Sequence, residues 1–219
     1  MSVDAYYNFY LILLHVIVIL GLTKYKLLDT KGVIIYILLC FTLAGEYASK
    51  ISQYYLEVKS PVYHFTAIIS LIIIYIYYLQ VSGRTFRGIK HIFLPLLFII
   101  VGIVNVKYQK LIDLNTNTLI LRGFLVIIMS IYIIYKILLD ESIVHPLKNV
   151  DFLMCFFLLF LYGGTYFFWS YITLASNAKQ FKLHNLALYI QITVNIIAYT
   201  GIGLVLYFAN NNKIEHGKL

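Results

Sequence analysis

The groups able to do chemistry in this chain are few, and they sit toward the ends of several apolar segments. Glu46 lies inside the second apolar stretch, with Lys50 four residues later. That order and spacing puts a carboxylate and an ammonium on one helical face as a favourable pair, and Lys50 can extend its stem toward the surface. An ionisable group at membrane depth is costly and marks a functional position by default. Glu46 is therefore the first candidate, and a self-neutralised pair with Lys50 is the competing structural account. Tyr63 and His64 open the third stretch, Arg122 comes early in the fifth, and His184 with Asn185 opens the seventh. In the seventh, His184, Leu188, Gln191 and Asn195 recur at spacings of four, three and four, which is one stripe of a helix. In lipid such a stripe must face protein or water. Either Gln191 and Asn195 hydrogen-bond across helices, worth about 0.6–2 kcal/mol each, or they wall a polar cavity floored near Glu46.

The chemistry these types support is binding rather than bond breaking. The expected ligand-binding set is Glu46, Lys50, Tyr63, His64, Arg122, His184, Asn185, Gln191 and Asn195, with no catalytic residue, no metal ligand and no cofactor. A two-histidine, one-carboxylate metal site from His64, His184 and Glu46 has the right ligand types, but nothing in their spacing requires it. His15, alone at mid-depth in the first stretch, reads as a hydrogen-bonded packing residue. Recognisable enzyme signatures are missing: there is no HExxH, no GxSxG elbow and no helix-borne His-x-x-x-His pair.

Seven hydrophobic stretches position these groups. They fall near 6–23, 32–54, 61–81, 89–106, 118–139, 150–174 and 183–208, and a spanning helix needs roughly 20 apolar residues. Their limits are punctuated by Lys24 to Lys31, by Pro61, by Ser82-Gly83-Arg84, by Asp113 to Asn117, by Asp140 to Pro146 and by Ser176 to Lys182. The expected architecture is an all-α, multi-pass integral membrane protein: a seven-helix transmembrane bundle forming a single domain over 1–219. Composition agrees. The chain is 62% hydrophobic and 12% charged with a mean hydropathy of +0.87, whereas soluble domains carry about 25% charged residues. No cleavable leader is expected, because no basic region precedes the first stretch. Gly163, Gly164, Gly201 and Gly203 are small residues that allow close helix contact. Tyr6, Tyr7, Tyr10, Tyr54, Tyr55, Tyr63, Tyr77, Tyr78 and Tyr207 read as interfacial belts, and Cys40 and Cys155 as packing residues.

The charge of +8 is spread over loops and helix ends, where it suits phospholipid headgroups and not nucleic acid. Ten Lys and Arg fall on the side of the first, third and fifth loops and the C-terminal tail, against seven on the other. That bias predicts the N-terminus outside and the C-terminus inside. Polar groups are richer in the outer half than in the inner half, which disfavours a continuous transport path.

Three short motifs give the chain a likeness. They are Glu46-Tyr47-Ala48-Ser49-Lys50 near the end of the second stretch, Pro61-Val62-Tyr63-His64-Phe65 at the start of the third, and His184-Asn185 with Asn195-Ile196-Ile197 in the last. With this layout the chain resembles small seven-helix integral membrane proteins of Bacteroidetes-type bacteria. A weaker likeness is to the membrane accessories of RNA-targeting CRISPR systems. The resemblance implies a sensory or accessory protein of the bacterial inner membrane, and the one-sided polar cluster points to a non-enzymatic subunit with an outward polar pocket for a small ligand or lipid headgroup. The expected partners are the lipid bilayer and a cytoplasmic or membrane protein, with a homo-oligomer left open and no direct nucleic-acid contact. The alternatives are a small transporter or channel with Glu46 as a protonatable gate, and an intramembrane metal-dependent hydrolase.

Overall fold

Local sequence signals set each helix. Ser2 accepts from the amide of Ala5 and starts α1, Val3–Lys24. Asp29 accepts from the Gly32 amide at 2.9 Å and starts α2, Thr30–Leu56, which ends on Glu57 in the left-handed region (φ 60°). Side-chain acceptors at these positions satisfy the orphan amides of a first turn. α3 is Ser60–Val81, with Pro61 in its first turn, where a missing amide costs nothing. α4 is Ile89–Tyr108 and continues through Pro95. α5, Thr116–Leu138, is capped by Asn115. Asn149 accepts from Phe152 N at the start of α6, Val150–Asn177. α7 is Phe181–Phe208 and takes Lys182 into its first turn.

The computed structural model describes residues 2–57, 60–83, 89–110, 115–141, 143, 145–177 and 181–208; the side chains of 60, 89–92, 172–177 and 181–184 lie outside that description. Among the described residues the chain is all-helical, with no strand. The boundaries agree with the sequence expectation to within three residues. Six of the seven helices are long and apolar enough to cross a membrane, and α4 contributes a shorter apolar helix over Phe93–Tyr108.

Packing closes six helices into a ring. α1 lies against α2, α2 against α3, α3 against α5, α5 against α6, α6 against α7, and α7 returns to α1. α4 is outside this ring and lies against α3 and α5. It is tied to α5 by a polar clasp: Asn105 Nδ2 donates to Asn115 Oδ1 at 2.8 Å, Asn117 Nδ2 to Asn105 Oδ1 at 3.0 Å, and Gln109 Nε2 to Thr116 Oγ1 at 2.8 Å. Glycines set two of the ring's seams. A Cβ on Gly164 would lie 2.6 Å from Val194 across the α6–α7 seam, and one on Gly203 would lie 2.9 Å from Ile17 across the α7–α1 seam. Gly163, expected to do the same, faces open space.

Large apolar side chains cover the outside. Phe65, Phe93, Ile103 and Phe167 are each more than 60% exposed. A protein with this much apolar surface needs a partner phase, and six spanning helices make that phase a bilayer. The tyrosine belt is partly corrected. Tyr54 and Tyr55 are exposed, but Tyr10, Tyr77 and Tyr78 are buried in the core. Tyr78 hydrogen-bonds to Ser130 across α3 and α5. His15 packs as expected, with Nδ1 on the Leu11 carbonyl at 2.7 Å and Nε2 on the Tyr47 hydroxyl at 2.8 Å.

Candidate functional site

A polar cavity of about 120 Å³ lies inside the ring, in the half of the bundle where α1 begins. Every ring helix contributes to its wall and α4 does not. α1 gives Tyr10, α2 Thr42 and Glu46, α3 Tyr63 and Ser70, α5 Arg122, α6 Tyr162 and Trp169, and α7 Gln191, Asn195 and Tyr199. These positions fall in the first half of α1, α3 and α5 and from the middle toward the end of α2 and α6, as antiparallel neighbours require. Those of α7 lie about its middle.

Five of the nine expected residues are thereby brought together: Glu46, Tyr63, Arg122, Gln191 and Asn195. Gln191 and Asn195 line the cavity, while Leu188 of the same stripe does not. Lys50, His64 and Asn185 do not line the cavity. His64 is buried in α3, and Asn185 is exposed at the start of α7. The His184 side chain lies outside the described residues.

Glu46 has partners on α1 that its spacing from Lys50 does not reveal. Tyr7 donates to Glu46 Oε2 at 2.6 Å and Tyr10 to Oε1 at 3.2 Å. The Lys50 ammonium sits 5.3 Å from the centre of the Tyr7 ring. Phenol donors thus hold the carboxylate, and a cation lies over the face of one of their rings. Tyr7 and Tyr10 are three apart on α1, hence on one face, and α1 turns that face to α2.

Arg122 is held from two sides. Its Nη1 donates to Ser70 Oγ at 2.9 Å, and its guanidinium stacks 5.1 Å from the centre of the Tyr162 ring. Its Nε is buried without a hydrogen-bond partner. Among the described residues no carboxylate is in an ion pair with it. A partly buried guanidinium outside any ion pair is an anion-binding element.

Compared with protein-family models, curated proteins and solved structures, the chain matches none. The site therefore has to be read from its own geometry. Among the described residues, no three His, Cys, Asp or Glu side chains gather as a metal would need.

The opposite end of the bundle holds a second polar cavity of about 210 Å³. Lys31, Asp151, Asn149 and Tyr77 line it. Lys31 and Asp151, each in the first turn of its helix, form a salt bridge between α2 and α6. The Tyr77 hydroxyl is buried there without a hydrogen-bond partner. The sequence reading placed few polar groups in this half; Lys31 was counted only as a loop charge, and Tyr77 only as a belt residue. Between the two cavities Leu14, Leu39, Leu71, Ile74, Leu158 and Ile202 are all buried to within 2%. From Thr42 to Ile35 along α2 is seven residues, a closed apolar layer of about 10 Å at 1.5 Å per residue.

Proposed function

We propose that the protein is a non-enzymatic membrane sensor or accessory subunit whose cavity in the α1-start half binds a small ligand or a lipid headgroup. The supporting observation is Arg122, a partly buried cation on the wall of a polar cavity with no carboxylate partner among the described residues. Isolated charge at membrane depth is retained where it is used. The excess of Lys and Arg on alternate loops supports placing this cavity on the outer side of a bacterial inner membrane, with basic loops toward a cytoplasmic or membrane partner. The test is recovery from native membranes in mild detergent, with mass spectrometry of what is retained. A stoichiometric protein partner is expected, with altered recovery in an Arg122→Gln, Glu46→Gln double variant. Recovery of the chain with lipid alone, in both forms, overturns the accessory reading.

A second reading, a small transporter, is favoured by the polar cavity at each end of the ring. The apolar layer makes this conformation a closed one, and the Lys31 and Asp151 bridge would have to open for passage. Solute or ion flux above that of empty vesicles supports it, and its absence removes it.

A further inference from the structure

We propose that the cavity in the α1-start half recognises a small zwitterion, its anionic group on Arg122 and its ammonium on Glu46 and the aromatic rings beside it. This rests on the reading of that cavity as a ligand site and gives the ligand a chemistry. Two opposite charges line one cavity, and hydroxyl and aromatic groups hold both. Tyr7 and Tyr10 hold Glu46; Ser70 and Tyr162 hold Arg122. The guanidinium has a donor, Nε, still without an acceptor, and its planar fork matches a phosphate or a carboxylate. Around Glu46 the rings of Tyr10, Tyr63, Trp169 and Tyr199 line the same space. A carboxylate and aromatic rings on one cavity wall are the groups that recognise an ammonium.

Size narrows the choice. The cavity's 120 Å³ is about four waters' worth of liquid, and far below the roughly 300–1,000 Å³ of pockets for drug-sized ligands. It suits a group such as phosphoethanolamine or a small amino acid and excludes a nucleotide. A purely anionic ligand would meet Glu46, and a purely cationic one would meet Arg122, each a like-charge contact that disfavours it.

The zwitterion has two sources, a free solute or a lipid headgroup. An apolar groove of about 330 Å³ runs along the α6–α7 seam, lined by Phe167, Phe168, Leu186 and Ile190. Phe168 packs edge-on against Trp169, 4.9 Å between ring centres, and Trp169 lines the cavity. An acyl chain in this groove would accompany a headgroup inside.

The test uses the full chain in detergent, with phosphoethanolamine, inorganic phosphate and ethanolamine as soluble probes. In parallel, the chain is reconstituted in vesicles of mixed phosphatidylethanolamine and phosphatidylglycerol, and retained lipid is measured by native mass spectrometry. Phosphoethanolamine binding, or selective retention of phosphatidylethanolamine, is expected, the first indicating a free solute and the second a headgroup. Arg122→Gln and Glu46→Gln should each weaken it by about tenfold or more. Arg122→Lys, which keeps the charge and loses the fork, should weaken it less and guards against a folding defect in Arg122→Gln. Binding of phosphate or phosphatidylglycerol that depends on Arg122 and ignores Glu46→Gln overturns the zwitterion but leaves a ligand cavity. No binding of any probe, with retained lipid mirroring the bulk, overturns both.

Discussion

At one end of the bundle Lys31 and Asp151 meet each other. At the other, Glu46 and Arg122 line one cavity, Glu46 held by Tyr7 and Tyr10 and Arg122 by Ser70 and Tyr162. The tyrosines differ in the same way. Tyr7 and Tyr10 give their hydroxyl protons to Glu46, whereas the Tyr77 hydroxyl is buried with no partner. The first end spends its charges on each other and so on joining α2 to α6. The second leaves the Arg122 Nε without an acceptor, at a cost in stability that a bound group would offset. The difference separates a structural clasp from a binding element, although both look alike as a tally of charged residues.

The largest effect should come from the Glu46 donors. Tyr7→Phe with Tyr10→Phe removes both phenols from a carboxylate at membrane depth, and hydrogen bonds to charged groups are worth about 1.5–3 kcal/mol each. The double variant should melt well below the wild type in detergent, and adding Glu46→Gln should restore part of the loss. If the double variant melts with the wild type, Glu46 is held by other groups and the contrast between the two ends weakens.

Next comes the clasp. Lys31 and Asp151 are 33% and 21% exposed, so water screens the pair and its net worth is about 1 kcal/mol or less. Lys31→Met should nevertheless destabilise, because it leaves Asp151 without its partner in the first turn of α6. Lys31→Met with Asp151→Leu should recover the loss, as paired removal does when the bridge is structural. A double variant less stable than either single one would show that the second cavity needs its charges for something besides joining helices.

These two contrasts also show how far the sequence could be read. Helix limits were legible because each rests on local signals: Asp29, Pro61, Asn115 and Asn149 stand at helix starts. The level of the candidate site was legible too, since Glu46, Tyr63, Arg122 and Gln191 sit at matching heights on alternating helices. What was hidden was direction around each helix axis. His64 neighbours Tyr63 in sequence but is turned about 100° from it on a helix of 3.6 residues per turn, and only Tyr63 lines the cavity. The Glu46 donors were hidden for a related reason. Spacing within α2 suggested Lys50, while Tyr7 and Tyr10 come from α1, and nothing local says that α1 and α2 present those faces to each other. The exclusion of α4 from the ring was equally invisible, because its apolar stretch resembles the other six.

Arg122 should give a smaller stability change than the clasp, and that asymmetry sharpens the comparison. Its guanidinium makes a hydrogen bond to Ser70 and a stack on Tyr162, both lost in Arg122→Leu. Against that loss, the variant no longer holds a cation at membrane depth without a carboxylate. The two nearly cancel, so the melting temperature should move by the equivalent of about 1 kcal/mol or less. A loss of several kcal/mol would make Arg122 a structural residue and remove the contrast with Lys31.

The smallest effect, with the opposite sign, belongs to Tyr77→Phe. The hydroxyl is buried, and the ring is only 2% exposed. Deleting an unpartnered buried hydroxyl removes its desolvation cost while leaving the ring's packing against the core, which stabilises by about 1 kcal/mol. Thermal melts of the variant and wild type side by side read this directly, and Tyr10→Phe in the same series should move the other way. The two substitutions delete the same atom type from the same residue type in one bundle. Opposite signs would follow from the Glu46 acceptor alone, which one tyrosine has and the other lacks. A destabilised Tyr77→Phe would mean that its hydroxyl is in use, and the cavity beside Lys31 and Asp151 would then join the first as a binding element.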